Sequence, residues 1–228
     1  MNELRASVLL LSAVFVCSCG SLDCWKGGNP MADIVLWDVD NLESIGGHKT
    51  TVLGAPKVIE TDNGRAVEFD GAKDGLLVEK LPLAGAEKFT LEIIFRPDAK
   101  GPEEQRFLHL QEDGCEYRIL IETRLTDNDL WYLDTYINTA KGDKTLVKPA
   151  NTHQVGKWYN ATLVYDGREM RHYVNAVKEM SAELPFSPLN KGKTSIGVRL
   201  NQVYWFKGAI RRVRFTRGIL TPVEFLKP

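Results

Sequence analysis

Polar side chains occupy alternating positions in four short segments of this 228-residue sequence. The segments are residues 109–111, 118–124, 132–136 and 199–201. Because successive side chains of a β-strand point to opposite sides of a sheet, each polar set lies on one side of its strand. Neighbouring strands would join these sets into one surface, which we call the polar face. The predicted ligand-binding residues are His109, Arg118, Glu122, Arg124, Asp134, Tyr136, Arg199, Asn201 and, from a nearby segment, Trp205.

The side chains of the polar face suit a sugar, above all an acidic one. Arginine binds carboxylates through paired hydrogen bonds, and Tyr and Trp rings offer flat apolar surfaces to pyranose rings. We therefore predict a poly- or oligosaccharide partner. A polysaccharide-cleaving enzyme is one alternative, with His109 or a tyrosine as base and with Arg118, Glu122 and Tyr136 as its other candidate residues. A solvated surface of cross-strand ion pairs, without a ligand, is another.

The composition favours a folded domain and excludes some partners. Hydrophobic residues make up 43% of the chain and charged residues 26%, as in ordinary globular proteins. The formal net charge is −1 and no long run of Lys or Arg occurs, so we do not expect a nucleic-acid partner. Arg211, Arg212, Arg214 and Arg217 alternate with apolar residues, which predicts a solvated strand face. No cysteine and histidine spacing suggests a zinc site.

The N-terminal segment has the features of an export signal. Arg5 precedes an apolar stretch over residues 6–16, which is too short to span a bilayer but has the length of a signal-peptide core. Val16-Cys17-Ser18-Cys19 then resembles the lipobox of bacterial lipoproteins, and this makes Cys19 the candidate lipidated residue. An ordinary cleaved signal with incidental cysteines is the alternative.

These features predict a signal peptide over residues 1–19, a flexible tether over residues 20–30 and one domain over residues 31–228. The protein would lie at a bacterial cell envelope, with the membrane as a partner through the lipid anchor alone. The tether contains Cys24, and a disulfide between Cys24 and Cys115 is not expected, because a bridge needs closely spaced Cα atoms. The oligomeric state is left open.

Short predicted strands surround the polar segments along most of the chain. The stretch from Trp158 to Ala176 reads as a hairpin, because alternating residues flank Asp166-Gly167, a pair that favours a tight turn. Roughly a dozen short strands and almost no helical periodicity predict an all-β fold of two antiparallel sheets, a sandwich or jelly roll. Thr221-Pro222-Val223-Glu224 predicts one short C-terminal helix with a capping box. A Gly-rich section around residues 46–54 is predicted to be irregular, and residues 203–206 to form a strand.

Several of these segments resemble, in the same order, blocks of the laminin-G-like, concanavalin A-like jelly rolls. The blocks are Ala66-Val-Glu-Phe-Asp-Gly71 with Asp74, Phe89 to Pro97, Gly156-Lys-Trp-Tyr159 with Val164-Tyr-Asp-Gly167, Tyr173-Val-Asn175, and Phe206 to Phe215 with Leu220 to Phe225. The resemblance covers roughly residues 60 to 228 and implies two curved sheets with the first and last strands adjacent. The family includes carbohydrate-binding and protein-binding modules, so a protein-binding adhesion module is a further alternative.

The resemblance also implies a structural calcium ion, because many members of the family hold one. Asp70 and Asp74 match the acidic block of the family, and calcium takes about 6 to 8 oxygen ligands. The chain departs from the pattern further on, where Arg211 and Arg212 replace the usual acidic residues and Asn175 replaces the hairpin aspartate. Asp70 also suits an Asx turn before Gly71, which needs no metal.

Glucanases of the same superfamily carry two catalytic carboxylates in a Glu-x-Asp-x-x-Glu strand. Their chemistry requires carboxyl groups about 5 Å apart on one face. The closest match here is Glu60-Thr-Asp62-Asn-Gly-Arg65, which lacks the third carboxylate and lies at a turn. We therefore do not expect this glucanase chemistry. The leading interpretation is an exported, lipid-anchored module that binds carbohydrate.

Overall fold

The computed structural model describes residues 33–228, which contain seventeen strands and one short helix. The first nine strands are β1 (Asp33–Asp38), β2 (Ser44–Ile45), β3 (His48–Leu53), β4 (Lys57–Thr61), β5 (Gly64–Asp70), β6 (Gly75–Val78), β7 (Phe89–Pro97), β8 (Glu104–Glu112) and β9 (Arg118–Leu125). The other eight are β10 (Leu130–Thr139), β11 (Gly142–Val147), β12 (His153–Gln154), β13 (Tyr159–Tyr165), β14 (Glu169–Val174), β15 (Val177–Glu183), β16 (Gly192–Ile196) and β17 (Lys207–Arg217).

These strands form two antiparallel sheets. The first sheet has the order β15-β14-β13-β7-β17-β5-β4, and β1 also pairs with β17. The second sheet has the order β11-β10-β9-β8-β16-β6-β3-β2, and β12 pairs with β10. The first and last strands are thus hydrogen-bonded neighbours, as the resemblance implies. The chain is an all-β antiparallel sandwich, which confirms the predicted fold class.

Aromatic side chains from both sheets meet in the core. Phe95 of the first sheet stacks on Phe107 of the second, with ring centroids 4.5 Å apart, and meets Trp131 edge to face at 5.2 Å. All three side chains are fully buried. Such pairs add specific geometry to the hydrophobic gain of burial. They fix the inner sides of β8 and β10, so the alternate residues of these strands face outward.

The predicted hairpin is present, whereas parts of the strand assignment were wrong. β3 and β4 lie in or beside the section that we predicted to be irregular, and β11 and β15 were not predicted. Most side chains of β4 and β15 are not fully buried, so these outermost strands lack the apolar alternation on which the prediction depends. Residues 203–206 form a loop rather than a strand, and Gln202 and Tyr204 have φ angles of 59° and 61°.

The predicted C-terminal helix is one 3₁₀ turn, Pro222–Glu224, with the expected capping box. Beyond it, the chain packs on the outer side of the first sheet, where Phe225 contacts Tyr173 at a ring-centroid distance of 5.2 Å. Glu92 lies beneath this segment and accepts hydrogen bonds from the amide of Leu226 and from Arg214. The C-terminal segment therefore covers part of this sheet.

The prediction of a solvated arginine face on β17 was wrong for two of its four arginines. The side chain of Arg214 keeps 13% of its surface exposed and donates to the carbonyl of Glu224 as well as pairing with Glu92. Arg211 keeps only 9% exposed. Only Arg212 and Arg217 remain substantially open to water, at 38% and 39% of their side-chain surface.

The predictions for the signal peptide, Cys19 and the tether fall outside the described residues. Within the described part, no helix is long and apolar enough to cross a membrane. Cys115 is half-buried and is the single cysteine between residues 33 and 228.

Candidate functional site

The polar segments come together because β8, β9 and β10 are neighbours in the second sheet. Residues of the three strands lie opposite one another in rows across the outer face. The rows are Gln111–Arg118–Asn138, His109–Leu120–Tyr136 and Arg106–Glu122–Asp134. Arg124 lies beside Glu122 on the same side of β9, opposite Tyr132. The structure thus gathers most of the predicted ligand-binding residues on one surface.

Arg106 belongs to the polar face although alternation does not predict it. The register between β8 and β9 shifts between Arg106 and Leu108, so Phe107 is the extra residue of a β-bulge. The bulge turns Phe107 into the core and Arg106 outward. The signal in the sequence is the adjacent apolar pair Phe107-Leu108, which interrupts the alternation of polar and apolar residues.

The loop after β16 docks on this bulge. The amide of Arg106 donates to the carbonyl of Tyr204 at 2.9 Å, and the amide of Gly197 donates to the carbonyl of Phe107, also at 2.9 Å. The Tyr204 ring lies over the Arg106 guanidinium, 3.9 Å from its central carbon to the ring centroid. Tyr204 of this loop therefore contacts the polar face, and the predicted residue Trp205 beside it is half-buried.

In one half of the polar face, arginines and carboxylates alternate in a network of ion pairs. Arg106 pairs with Glu122 at 2.7 Å and with Glu104 at 3.4 Å. Arg124 pairs with the same Glu104 at 2.5 Å and with Asp134 at 2.9 Å. These two arginines are thus neutralised by carboxylates of the protein. Their capacity for binding an acidic ligand is correspondingly reduced.

Burial raises the pKa values of two carboxylates in this ion-pair network. Glu122 and Asp134 face each other on adjacent strands, and each keeps 3% of its side-chain surface exposed. Desolvation first, and then the nearby charge of Asp134, raises the pKa of Glu122 to about 7, although Arg106 opposes the shift. Desolvation also raises the pKa of Asp134, against the effect of Arg124. Glu122 therefore changes its charge near neutral pH.

His109 lies fully buried in the other half of the polar face. Its Nδ1 atom accepts a hydrogen bond from the amide of Leu200 at 3.0 Å. Desolvation and then the charges of Arg199, Arg118 and Arg106 lower the pKa of His109 to about 3, so the ring is neutral at physiological pH. A neutral ring that accepts at Nδ1 carries its proton at Nε2. The Nε2–H group has no hydrogen-bond partner among the described residues.

Two arginines beside His109 also have unused donors. Both guanidinium groups reach towards the same Oε2 atom of Glu116, at 3.1 Å from Arg118 and 3.9 Å from Arg199. Glu116 is itself 75% exposed, so this pairing is weak. The Nε–H groups of Arg118 and Arg199 are buried and, within residues 33–228, find no acceptor. Arg118 also lies over the Tyr136 ring, 5.0 Å from its centroid.

The charged residues surround a small depression of about 150 Å³. It is lined by Arg106, Arg118, Leu120, Glu122, Arg124, Asp134, Tyr136 and Thr145. The predicted residue Asn201 lies outside it and lines a neighbouring depression of about 350 Å³ with Gln111, Lys193 and Leu200. The polar face thus offers two adjoining recesses, and the structure separates Asn201 from the main group.

The predicted calcium ligands hold backbone groups instead. Oδ1 of Asp70 accepts the amides of Ala72, Lys73 and Asp74 at 2.9 to 3.1 Å, which is the Asx-turn arrangement. Asp74 accepts the amides of Ala55 and Asp70. In the part of the chain that the structure describes, no three His, Cys, Asp or Glu side chains cluster as metal ligands. Calcium stays a prediction, which a lower melting temperature in chelator would support.

The two-sheet topology defines the chain as a jelly-roll sandwich of the lectin-like type. The family model for the concanavalin A-like lectin/glucanases superfamily, Laminin_G_3, matches residues 70–224. The chain belongs to this family. A search of curated proteins found no match.

Solved structures with the same fold include domain 4 of AbnA, a GH43 extracellular arabinanase from Geobacillus stearothermophilus, in complex with arabinotriose. It has a TM-score of 0.65 and 17% identity, over 85% of this chain and 96% of that one. The binding domain of botulinum neurotoxin DC in complex with SialylT has a TM-score of 0.60 and 10% identity, over 83% of this chain and 49% of that one. A heptameric SAP-like pentraxin from Limulus polyphemus has a TM-score of 0.56 and 15% identity, over 69% and 77%. At these identities the likeness shows the fold alone.

Proposed function

We propose that the protein is an exported carbohydrate-binding module and that its polar face holds an acidic sugar. The arabinanase domain was solved with arabinotriose, which supports a sugar as the partner of this fold. The protein contributes cations, a neutral imidazole donor and Tyr rings on one surface. Such groups recognise the carboxylate and the flat ring of a uronic acid.

The observation that carries this proposal is the set of unused donors on His109, Arg118 and Arg199. Buried polar groups of folded proteins almost always have a hydrogen-bond partner, and one left unpaired is costly. Here three N–H groups from three positions lack an acceptor among the described residues. A carboxylate supplies two oxygens that each accept several hydrogen bonds. A bound uronate would therefore satisfy groups that the protein leaves unsatisfied.

The test incubates the full-length protein with matched panels of acidic and neutral oligosaccharides. Two quantities are followed, the melting temperature of the protein and the chain length of the sugar. At a ligand concentration of about 100 times Kd, binding adds roughly 2.7 kcal/mol to the free energy of unfolding. For a domain of this size the melting temperature should then rise by about 5 to 10 °C. Acidic oligosaccharides should give this rise, and a flat response across the whole panel would contradict the proposal.

Cleavage of the sugar is a second candidate function, favoured by the pKa of Glu122. A carboxylic acid that is partly protonated near pH 7 and faces a second carboxylate, Asp134, is a suitable proton donor. Glu122 suits this role better than His109, because the Nδ1 lone pair of His109 already accepts the Leu200 amide. Shortening of the sugar chains in the same panel would move the protein into the enzyme class, and intact chains would leave binding alone.

The adhesion alternative requires a contiguous apolar surface. The exposed large apolar side chains instead belong to strands of both sheets and to loops. They include Ile34 and Leu36 on β1, Val52 on β3, Val58 on β4, Val147 on β11 and Val177 on β15. Protein-mediated adhesion therefore stays an alternative to sugar binding.

We also propose that Cys19 anchors the exported protein to a bacterial membrane. The apolar segment over residues 6–16 and the lipobox-like sequence that ends at Cys19 support this proposal. A lipid chain on the cysteine would hold the domain at the membrane surface without a spanning helix.

Substitution of the anchor should release the protein from the membrane. In a bacterial host that processes lipoproteins, Cys19→Ala is expected to move the protein from the membrane pellet to the soluble fraction. Cys17→Ala is the matched control, because it removes a cysteine two positions earlier, and it should leave the protein in the pellet. Retention of Cys19→Ala in the pellet would contradict lipidation at this residue.

A further inference from the structure

Arg211 is a buried cation on the opposite sheet from the polar face. It lies in β17 at the register shift between Ile210 and Arg212, where a β-bulge inserts an extra residue. Ile210 and Val213 point into the core. Arg211 and Arg212 therefore share the outer side of the first sheet at this point, and two adjacent cations meet there.

The two neighbours differ in their partners. Arg212 pairs with Asp38 at 2.5 Å and keeps 38% of its side chain exposed. Arg211 is only 9% exposed, and its Nη1 group is buried without a hydrogen-bond partner among residues 33–228. No carboxylate of the described chain lies within ion-pair distance of it. The nearby carboxylate of Asp38 already pairs with Arg212.

Burial and the charge of Arg212 lower the pKa of the Arg211 guanidinium, which is nonetheless charged under all ordinary conditions. A buried charge without a counter-charge is costly, because it loses its hydration and gains no partner. Asp38 offsets the lowering of this pKa in part, but no carboxylate of residues 33–228 forms an ion pair with Arg211. The missing partner is an anion, and an external ligand can supply it.

An aromatic ring adjoins this cation. The central guanidinium carbon of Arg211 lies 5.5 Å from the ring centroid of Trp158, and that of Arg96 lies 5.8 Å from the same centroid. Trp158 is half-buried. Arg96 is neutralised by Asp98 at 2.9 Å and by Glu68 at 3.1 Å. Arg211 is thus the one cation around this ring, within the described chain, that has no carboxylate.

We infer that Arg211 and Trp158 form a second binding site, on the first sheet, for a sugar that carries an oxyanion group. The guanidinium of Arg211 binds the carboxylate or sulfate, and Trp158 packs against the sugar ring. This site uses none of the residues of the polar face. A module with a site on each sheet can hold two sugar residues or two chains at once, which raises its avidity.

The test separates this site from the polar face by starting from the full-length Arg118→Gln variant. The melting temperature is measured against methyl glucuronide, methyl glucoside, sodium sulfate and sodium chloride at matched ionic strength. Methyl glucuronide should still raise the melting temperature in a saturable way and should change the Trp fluorescence. Added Arg211→Gln should abolish the rise, and added Trp158→Phe should abolish the fluorescence change. Added Arg212→Gln, the matched control, should leave both.

The unliganded protein supplies a further readout. If Arg211 awaits a ligand, Arg211→Gln removes an uncompensated charge, so its melting temperature without ligand should equal or exceed that of the parent. A large fall would show a structural role and would overturn the inference. A saturable response that survives Arg211→Gln would overturn it too. An equal response to free sulfate and to methyl glucuronide would contradict the sugar contact at Trp158.

Discussion

Arg118→Gln is expected to weaken the binding of an acidic oligosaccharide by about ten- to a hundredfold. A hydrogen bond between charged groups contributes about 1.5 to 3 kcal/mol, and every 1.4 kcal/mol is a tenfold change in affinity. Arg118 has a buried Nε–H group without an acceptor among the described residues, and the one carboxylate within 4 Å of it there is the exposed Glu116, so a sugar carboxylate meets little competition. Titration calorimetry on the full-length protein measures the change.

The control for this experiment is Arg168→Gln. Arg168 pairs with Glu183 on a distant hairpin, and its side chain is 79% exposed, so its loss removes the same net charge without touching the polar face. Its affinity for the sugar should stay within about twofold of the wild type, because exposed charges act weakly at long range. If both variants lost the same affinity for the sugar, Arg118 would act only through the net charge of the protein. That result would contradict a binding site at Arg118.

Acid should remove a large stabilising contribution of His109. A histidine whose pKa is lower in the folded state than its unfolded value near 6.5 stabilises the fold fully above that value. This contribution is lost as the pH falls. With a folded pKa of about 3, His109 should lose about 3 kcal/mol between pH 7.5 and pH 4. The wild type should therefore lose about this much more free energy of unfolding than His109→Asn over that interval.

Chemical denaturation of both proteins at the two pH values gives the difference directly. The comparison is needed because other buried groups titrate in the same range. His172, with a pKa lowered to about 4 by burial, has the same sign as His109. Glu122, with its raised pKa, has the opposite sign and gains stability as the pH falls from about 7. Their contributions cancel between the two proteins, so a difference that does not change with pH would contradict the neutral, buried His109.

Much of the polar face could be predicted because alternation in β9 and β10 is regular. The two-residue period of a strand places alternate side chains on one face, and this holds without knowledge of the neighbouring strands. The residues placed in this way are Arg118, Glu122, Arg124, Asp134 and Tyr136. The pairing of the first and last strands was also accessible through the family resemblance. The sequence could not show that Arg124 is neutralised by Glu104 and Asp134, because that pairing depends on side-chain positions across two strands.

The residues that were missed lie where the regular pattern breaks. Arg106 reaches the polar face through a bulge, and Tyr204 reaches it through a loop with a positive φ angle of 61°. Arg211 was predicted to be solvated, and another bulge together with Trp158 buries it instead. Bulges and left-handed residues reverse the side on which a side chain falls, so a period of two gives the wrong face after them.

One ligand, measured with and without its charge, tests directly whether the polar face binds an acidic sugar. Titration calorimetry measures the affinity of the full-length protein for an oligogalacturonate and for the methyl ester of the same chain. We expect the acid to bind at least about tenfold more tightly than the ester, because the carboxylate offers two charged oxygens to the donors of His109, Arg118 and Arg199, whereas the ester carbonyl is neutral. Equal affinities, or no binding of either ligand, would contradict this expectation.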